Sequence, residues 1–239
     1  MKLLCFPYAG ATSVAFLKWK KYMKGINLIP IDPPGRGRRI AEPLCKTINE
    51  MVDDVKVQVL PLISGGEEYA VYGHSMGSLL VFELLHELLR MGFPLPIHVF
   101  LSGKNPPHIP IEKPIHELKD DEFIEKVVAM GGMEARFFEN PLLARLFLPI
   151  LRTDLGILED YHYEKKKQRL PVDITFFFAS DDEGLSRQSV KQWADFASGS
   201  FRMYYFTGGH FFIHHQQQGE KIAGIIQETL SNVYDIIPY

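Results

Sequence analysis

The sequence predicts an α/β fold, a mostly parallel sheet with helices on both faces. Three observations predict it. Short β-rich runs alternate with helical patterns along the chain. Several of those runs are continuously apolar, as in strands covered on both sides. The residues that look chemically active fall just past the C-terminal ends of the runs, where sites form in open α/β sheets.

The expected strands are 2–6, 27–31, 69–73, 97–102, 173–179 and 202–206. The expected helices are 47–63, 76–91, 186–196 and 220–233. One region breaks the alternation. From Pro106 to about Leu170 no strand is evident, and Pro106-Pro107 and Pro110 open the stretch. Lys119-Asp120-Asp121-Glu122 reads as a helix start, and Phe123, Val127, Met130, Leu143, Leu146, Phe147 and Leu151 then recur at helical spacing. Such an insertion before a late strand is expected to be a lid over the site. The plainer alternative is a peripheral helical pair that adds core. No repeat, low-complexity tract or linker interrupts the chain, so residues 1–239 are expected to form one domain with a helical lid insertion at about 106–170.

Composition narrows the function classes. Apolar residues make up 46 % of the 239 and charged residues 23 %, which excludes a fibrous or disordered chain. The net charge of −3 gives no reason to expect nucleic acid. Two cysteines, Cys5 and Cys45, imply no disulfide framework and point to a reducing, cytoplasmic setting. The opening Met1-Lys2-Leu3-Leu4-Cys5 is broken by Pro7 and Gly10, so it reads as a first strand and not as a signal peptide. No stretch approaches the roughly 18 apolar residues that a membrane span needs.

The strongest motif is Gly73-His74-Ser75-Met76-Gly77, a G-x-S-x-G between an apolar strand and an apolar helix. The turn between the two is tight, so the residues two before and two after the serine must be small. Gly73 and Gly77 meet that need. The turn lifts the Ser75 hydroxyl above the sheet edge and sets it at a helix N-terminus, where developing negative charge is favoured. Ser75 is therefore the candidate nucleophile of an α/β-hydrolase fold. His74 is expected to point away from the nucleophile's direction.

A serine hydroxyl needs a base to take its proton. In this fold the partners follow in the order serine, acid, histidine. His210 comes after the last strand in Thr207-Gly208-Gly209-His210, and the two glycines allow a tight loop. The acid is Asp181 or Asp182, in the turn after strand 173–179. Asp182 is favoured because the acid usually falls a few residues past the strand. For the oxyanion hole, one backbone N–H is expected from Met76 and the other from the loop Phe6-Pro7-Tyr8-Ala9-Gly10-Ala11. Tyr8 is preferred there, with Ala9 second.

Together these segments resemble the type II thioesterases, the stand-alone editing enzymes of nonribosomal peptide and polyketide synthesis. The resemblance spans nearly the whole chain. It includes the Phe6–Gly10 loop, Asp32-Pro33-Pro34-Gly35-Arg36-Gly37-Arg38-Arg39, the elbow, Asp120-Asp121-Glu122-Phe123, Gly131-Gly132-Met133, Phe147-Leu148-Pro149-Ile150-Leu151-Arg152 and Gly208-Gly209-His210-Phe211-Phe212. The departures are small: Ala11, Thr153 and Ala179 stand where the family commonly has other residues. The resemblance implies hydrolysis of an acyl thioester held on the phosphopantetheine arm of a carrier protein, through an acyl-serine; the chain is expected to act as a monomer. It implies no metal and no cofactor. Residue chemistry by itself reaches only acyl transfer to water. An esterase or lipase acting on oxyesters remains as an alternative, lowered by the lack of an H-G-G-G loop, and so does an inactive hydrolase-fold binding protein. Arg36-Gly37-Arg38-Arg39 reads as a basic patch for an acidic partner or, preferably, as arginines paired with nearby carboxylates. Lys165-Lys166-Lys167 reads as a solvated face.

Overall fold

The computed structural model describes residues 1–12 and 14–235. Six strands form one sheet: β1 (Lys2–Phe6), β2 (Asn27–Pro30), β3 (Tyr69–His74), β4 (His98–Ser102), β5 (Ile174–Ala179) and β6 (Phe201–Phe206). Their order is β2-β1-β3-β4-β5-β6 and every pairing is parallel. The central strands β3, β4 and β5 are buried at every residue, which is why they read as unbroken apolar runs. The expected strands recur with ends moved by a residue or so.

The helices are α1 (Val14–Leu17), α2 (Ile48–Ile63), α3 (Met76–Met91), α4 (Asp120–Ala129), α5 (Ala135–Phe138), α6 (Pro141–Glu159), α7 (Arg187–Lys191) and α8 (Gln216–Asp235). Thr47 caps α2 by accepting the Glu50 N–H. Gly92, in the left-handed conformation, ends α3. The helix expected over 186–196 is two pieces: α7 tightens into a 3-10 turn over Gln192–Phe196. The short α1 and the 3-10 turn Lys18–Tyr22 were not expected.

Two apolar layers enclose the sheet. Residues of α2, α3, α4 and α6 pack on one face, and Phe16, Trp19 and α8 on the other. Three helices, α4, α5 and α6, lie between β4 and β5, and the expected apolar stripe is divided among them. Phe123 (0 % exposed) and Val127 (6 %) pack into the core, whereas Met130 (43 %) and Leu146 (44 %) face outward. Phe123 therefore fills core and does not line an open pocket. The reason lies in the placement of α4, whose apolar face lies against the main layer.

The basic segments also find partners. Arg39 bonds the carboxylates of Glu42 and Asp54, and Arg36 pairs with Asp154 from a distant part of the chain. Lys166 is not simply solvated, because its Nζ lies 2.6 Å from the carboxylate of the buried Glu83.

Candidate active site

β3 ends at His74 and α3 begins at Met76, so Ser75 makes the turn alone. It has φ 53° and ψ −116°, and it is the one non-glycine residue with positive φ among the described residues. A backbone of this kind costs on the order of 1–3 kcal/mol and persists only where the surroundings hold it. They do so here. The Ser75 N–H donates to the Ser102 carbonyl at 2.8 Å. Ser78 Oγ lies 2.9 Å from the Gly73 carbonyl and 2.8 Å from that of Ser102, bracing the elbow against β4. The glycine requirement is steric. A Cβ at Gly73 would lie 2.5 Å from the Gly77 carbonyl oxygen, and one at Gly77 would lie 2.0 Å from that of Phe6.

Three distant segments meet at the elbow. Ser75 Oγ is 3.0 Å from His210 Nε2, and His210 Nδ1 is 2.8 Å from Asp182 Oδ2. Asp182 Oδ1 accepts the Gly184 N–H at 3.1 Å, so the carboxylate is fixed from both sides. Ser75 and Asp182 are buried. Asp181, the other acid considered, turns to the histidine loop, where its two oxygens accept the Gly208 N–H at 3.0 and 2.8 Å. The N–H groups of Gly208 and Gly209 hold its carboxyl below the ordinary range. A hydroxyl on an imidazole that is itself oriented by a buried carboxylate can be deprotonated as it attacks a carbonyl.

The two segments considered for backbone donors, the start of α3 at Met76 and the loop after β1 with Tyr8 and Ala9, meet at a close contact. Met76 is the first residue of α3, so its N–H has no partner within the helix. The loop after β1 presses on the elbow through the Phe6 and Pro7 carbonyls that face Gly77. Within that loop the Ala11 N–H bonds back to the Tyr8 carbonyl at 3.0 Å. Tyr8 Oη lies 2.7 Å from His214 Nε2, and its ring meets those of Phe211 and His74 edge-on. Burial pushes the Tyr8 hydroxyl up to about 12 and His214 down to about 4, so both are neutral near pH 7.

Ser102 and Tyr72 were not singled out from the sequence, whereas His74 was considered there and expected to point away from the nucleophile's direction. His74 is fully buried, and its ring lies 5.2 Å from that of His210, centre to centre. Its Nδ1 is 2.8 Å from Ser102 Oγ, which lies 2.7 Å from the Tyr72 hydroxyl. Desolvation drives the His74 pKa well below its usual value. The helical insertion reaches the site twice. A Cβ at Gly132 would overlap the Phe211 ring, and one at Gly10 would lie 2.5 Å from Leu151. One sequence signal for such contacts existed: a charged residue, Asp154, inside the apolar run of α6. Among the described residues no group of three or more His, Cys, Asp or Glu could hold a metal ion. None of the helices among them is long and apolar enough to cross a membrane.

A parallel sheet whose strained strand-to-helix turn presents a serine is the α/β-hydrolase fold. Residues 1–230 match the family model described as the thioesterase domain. The chain is similar to the medium-chain S-acyl fatty acid synthase thioesterase of Homo sapiens, 33 % identical over 220 residues that cover 89 % of this chain and 80 % of that one. Among solved structures it is similar to ClbQ from the colibactin NRPS/PKS pathway, at 31 % identity and TM-score 0.92, covering 99 % of each chain. It is also similar to YbtT, the type II thioesterase from the yersiniabactin NRPS/PKS pathway, at 28 % identity and TM-score 0.83, covering 94 % of this chain and 90 % of that one. The chain belongs to the thioesterase family, with type II thioesterases of such pathways among its relatives, and is a hydrolase that acts on thioesters.

Proposed function

We propose that this thioesterase removes acyl groups from the phosphopantetheine arm of a carrier protein, and so clears stalled or wrongly loaded synthases. The observation that carries the mechanism is the relay Ser75–His210–Asp182 on a strained elbow. Ser75 Oγ attacks the thioester carbonyl while His210 Nε2 takes its proton. Asp182 holds the imidazole in the required tautomer and stabilises its cation. The backbone N–H groups of Met76 and Tyr8 receive the oxyanion; one such donor is worth about 10²–10³ in rate. The C–S bond then breaks, and the pantetheine sulfur leaves with the proton from His210. Water, deprotonated by the same histidine, attacks the acyl-serine and releases the acid. The insertion serves as a lid, a role supported by its contacts with Phe211 and Gly10. A cytoplasmic setting fits Cys5 and Cys45, which are free thiols.

The test is a panel of acyl groups, each presented on a carrier protein, on free pantetheine and as the matched oxyester. The carrier-bound thioester is expected to have the highest kcat/KM, because contacts with the remote carrier surface help to position the reacting carbonyl. Ser75→Ala is expected to lower turnover by roughly 10⁴–10⁶ while the fold survives. Equal values for carrier-bound and free thioesters would remove the carrier protein from the proposal. A folded Ser75→Ala variant with near-normal turnover would remove Ser75.

A further inference from the structure

Asp154 is a charged residue in an apolar place. It is 0 % exposed and lies on α6 among the buried Ile150, Leu151, Leu155, Ile157 and Leu158. Its carboxylate accepts three N–H groups from two other parts of the chain. Arg36 Nη2 donates to Oδ1 at 2.8 Å and Arg36 Nη1 donates to Oδ2, a bidentate pair. The Gly10 N–H donates to Oδ2 at 2.7 Å. Arg36 is itself only 2 % exposed, and its Nε is turned to the Pro34 carbonyl at 3.2 Å.

The amide that Asp154 captures belongs to the loop that presses on the elbow. Gly10 lies two residues beyond Tyr8, in the turn closed by the bond from the Ala11 N–H to the Tyr8 carbonyl. The loop is gripped sterically at the same point. Gly10 has φ +73°, and a Cβ there would lie 2.5 Å from Leu151, one turn before Asp154 on α6. One face of α6 therefore fixes both the position and the orientation of the loop. A buried ion pair is a poor stabilising device, since apolar side chains of similar volume often serve as well or better. A role in directing the Gly10 amide accounts for the pair where stability does not.

We propose that Arg36 and Asp154 are positioning residues that hold the Tyr8 N–H in register with the Met76 N–H, and that they tie the helical insertion to the oxyanion hole. This rests on the proposed role of the Tyr8 N–H. Movement of α6 carries the Asp154 carboxylate with it, so the seating of the insertion and the formation of the hole are one event.

The test removes both charges together. In Arg36→Met/Asp154→Leu no unpaired buried charge remains, so folding survives where either single change alone would leave one. The readouts are kcat and KM on a short acyl-pantetheine, and the affinity of a trifluoromethyl ketone analogue that adds to Ser75 and places its oxygen in the hole. A loop displaced by about 1 Å is expected to lower kcat by roughly 10²-fold. KM should stay within about twofold, and analogue affinity should fall with kcat/KM. A folded pair variant that matches the wild type in kcat and analogue affinity overturns the proposal, as does a loss of kcat equal to the loss of folded protein. If the pair variant does not fold, Arg36→Lys is read in the same way, because lysine keeps the charge and lacks the bidentate fork. A wild-type protein that does not cleave the thioester fails the functional proposal separately.

Discussion

The carboxylates of Asp181 and Asp182 leave one turn in different directions. Asp182 reaches His210 Nδ1, while Asp181 accepts the Gly208 N–H that shapes the histidine loop. An asparagine at 182 would offer an amide to His210 and favour the wrong tautomer, so Asp182→Asn is expected to lower kcat by about 10⁴. An asparagine at 181 keeps an oxygen for Gly208, so Asp181→Asn is expected to stay within about tenfold of wild type. Steady-state kinetics of the two purified variants decide between them, and equal mild losses would mean that neither carboxylate orients His210. The difference between the two is only partly legible in the sequence. Position past the strand favours Asp182, but nothing local shows that Asp181 is occupied by Gly208. The same holds for Asp154 and His214, whose partners lie 144 and 206 residues away in Gly10 and Tyr8.

At the scale of elements, α6 shows what periodicity can and cannot give. Its spacing marks a helix, but the burial changes along its length. Leu142 (79 % exposed) and Leu146 face outward, whereas Ile150 to Leu158 are mostly buried. Pro149, which lacks the N–H that would bond back one turn, stands at the change. The strands were legible because burial on both faces leaves an apolar run that needs no knowledge of neighbours. The segment around α1 was not, because Phe16 and Trp19 are isolated anchors among exposed lysines. The divided stripe yields a prediction with two arms. Phe123, in the core with the Arg152 guanidinium 4.2 Å from its ring centre, is expected to cost about 3–5 kcal/mol on change to alanine and to leave acyl-chain preference unaltered. Leu146→Ala is expected to leave stability within about 0.5 kcal/mol, and Phe147→Ala to shift the ratio of kcat/KM between short and long chains by about tenfold. Denaturant unfolding and a chain-length series read both arms. An unchanged chain preference in Phe147→Ala would return the insertion to the role of added core.

The molecule as a whole buries imidazoles that stay neutral, and this sets its response to acid. His98 lies in β4 with Nε2 2.8 Å from Thr175 Oγ1, and burial pushes its pKa to about 4 against a partial opposing pull from Asp173. His74, more deeply buried, lies well below its usual value, again chiefly through desolvation. In the unfolded chain each returns to about 6.5. For His98, between that value and about 4 the unfolded chain binds a proton that the folded chain refuses, so the number bound is larger in the unfolded state and stability rises with pH; His74 acts in the same direction. The His98 contribution is fully present above about pH 6.5 and is lost as pH falls toward 4, at up to about 1.4 kcal/mol per pH unit. The carboxylates do not cancel this. Glu87, held down to about 2 by Arg90 and Lys56, and Asp181, held down by backbone N–H groups, lose their own contributions at lower pH and in the same direction. Urea unfolding at pH 7, 6 and 5 is therefore expected to show stability falling across that interval. His98→Gln keeps a side chain able to bond Thr175 but cannot take a proton, so its stability is expected to fall less steeply over the same interval, by at most one proton's worth of slope. A variant whose slope equals that of the wild type would show that His98 is not one of the groups that resist protonation in the fold.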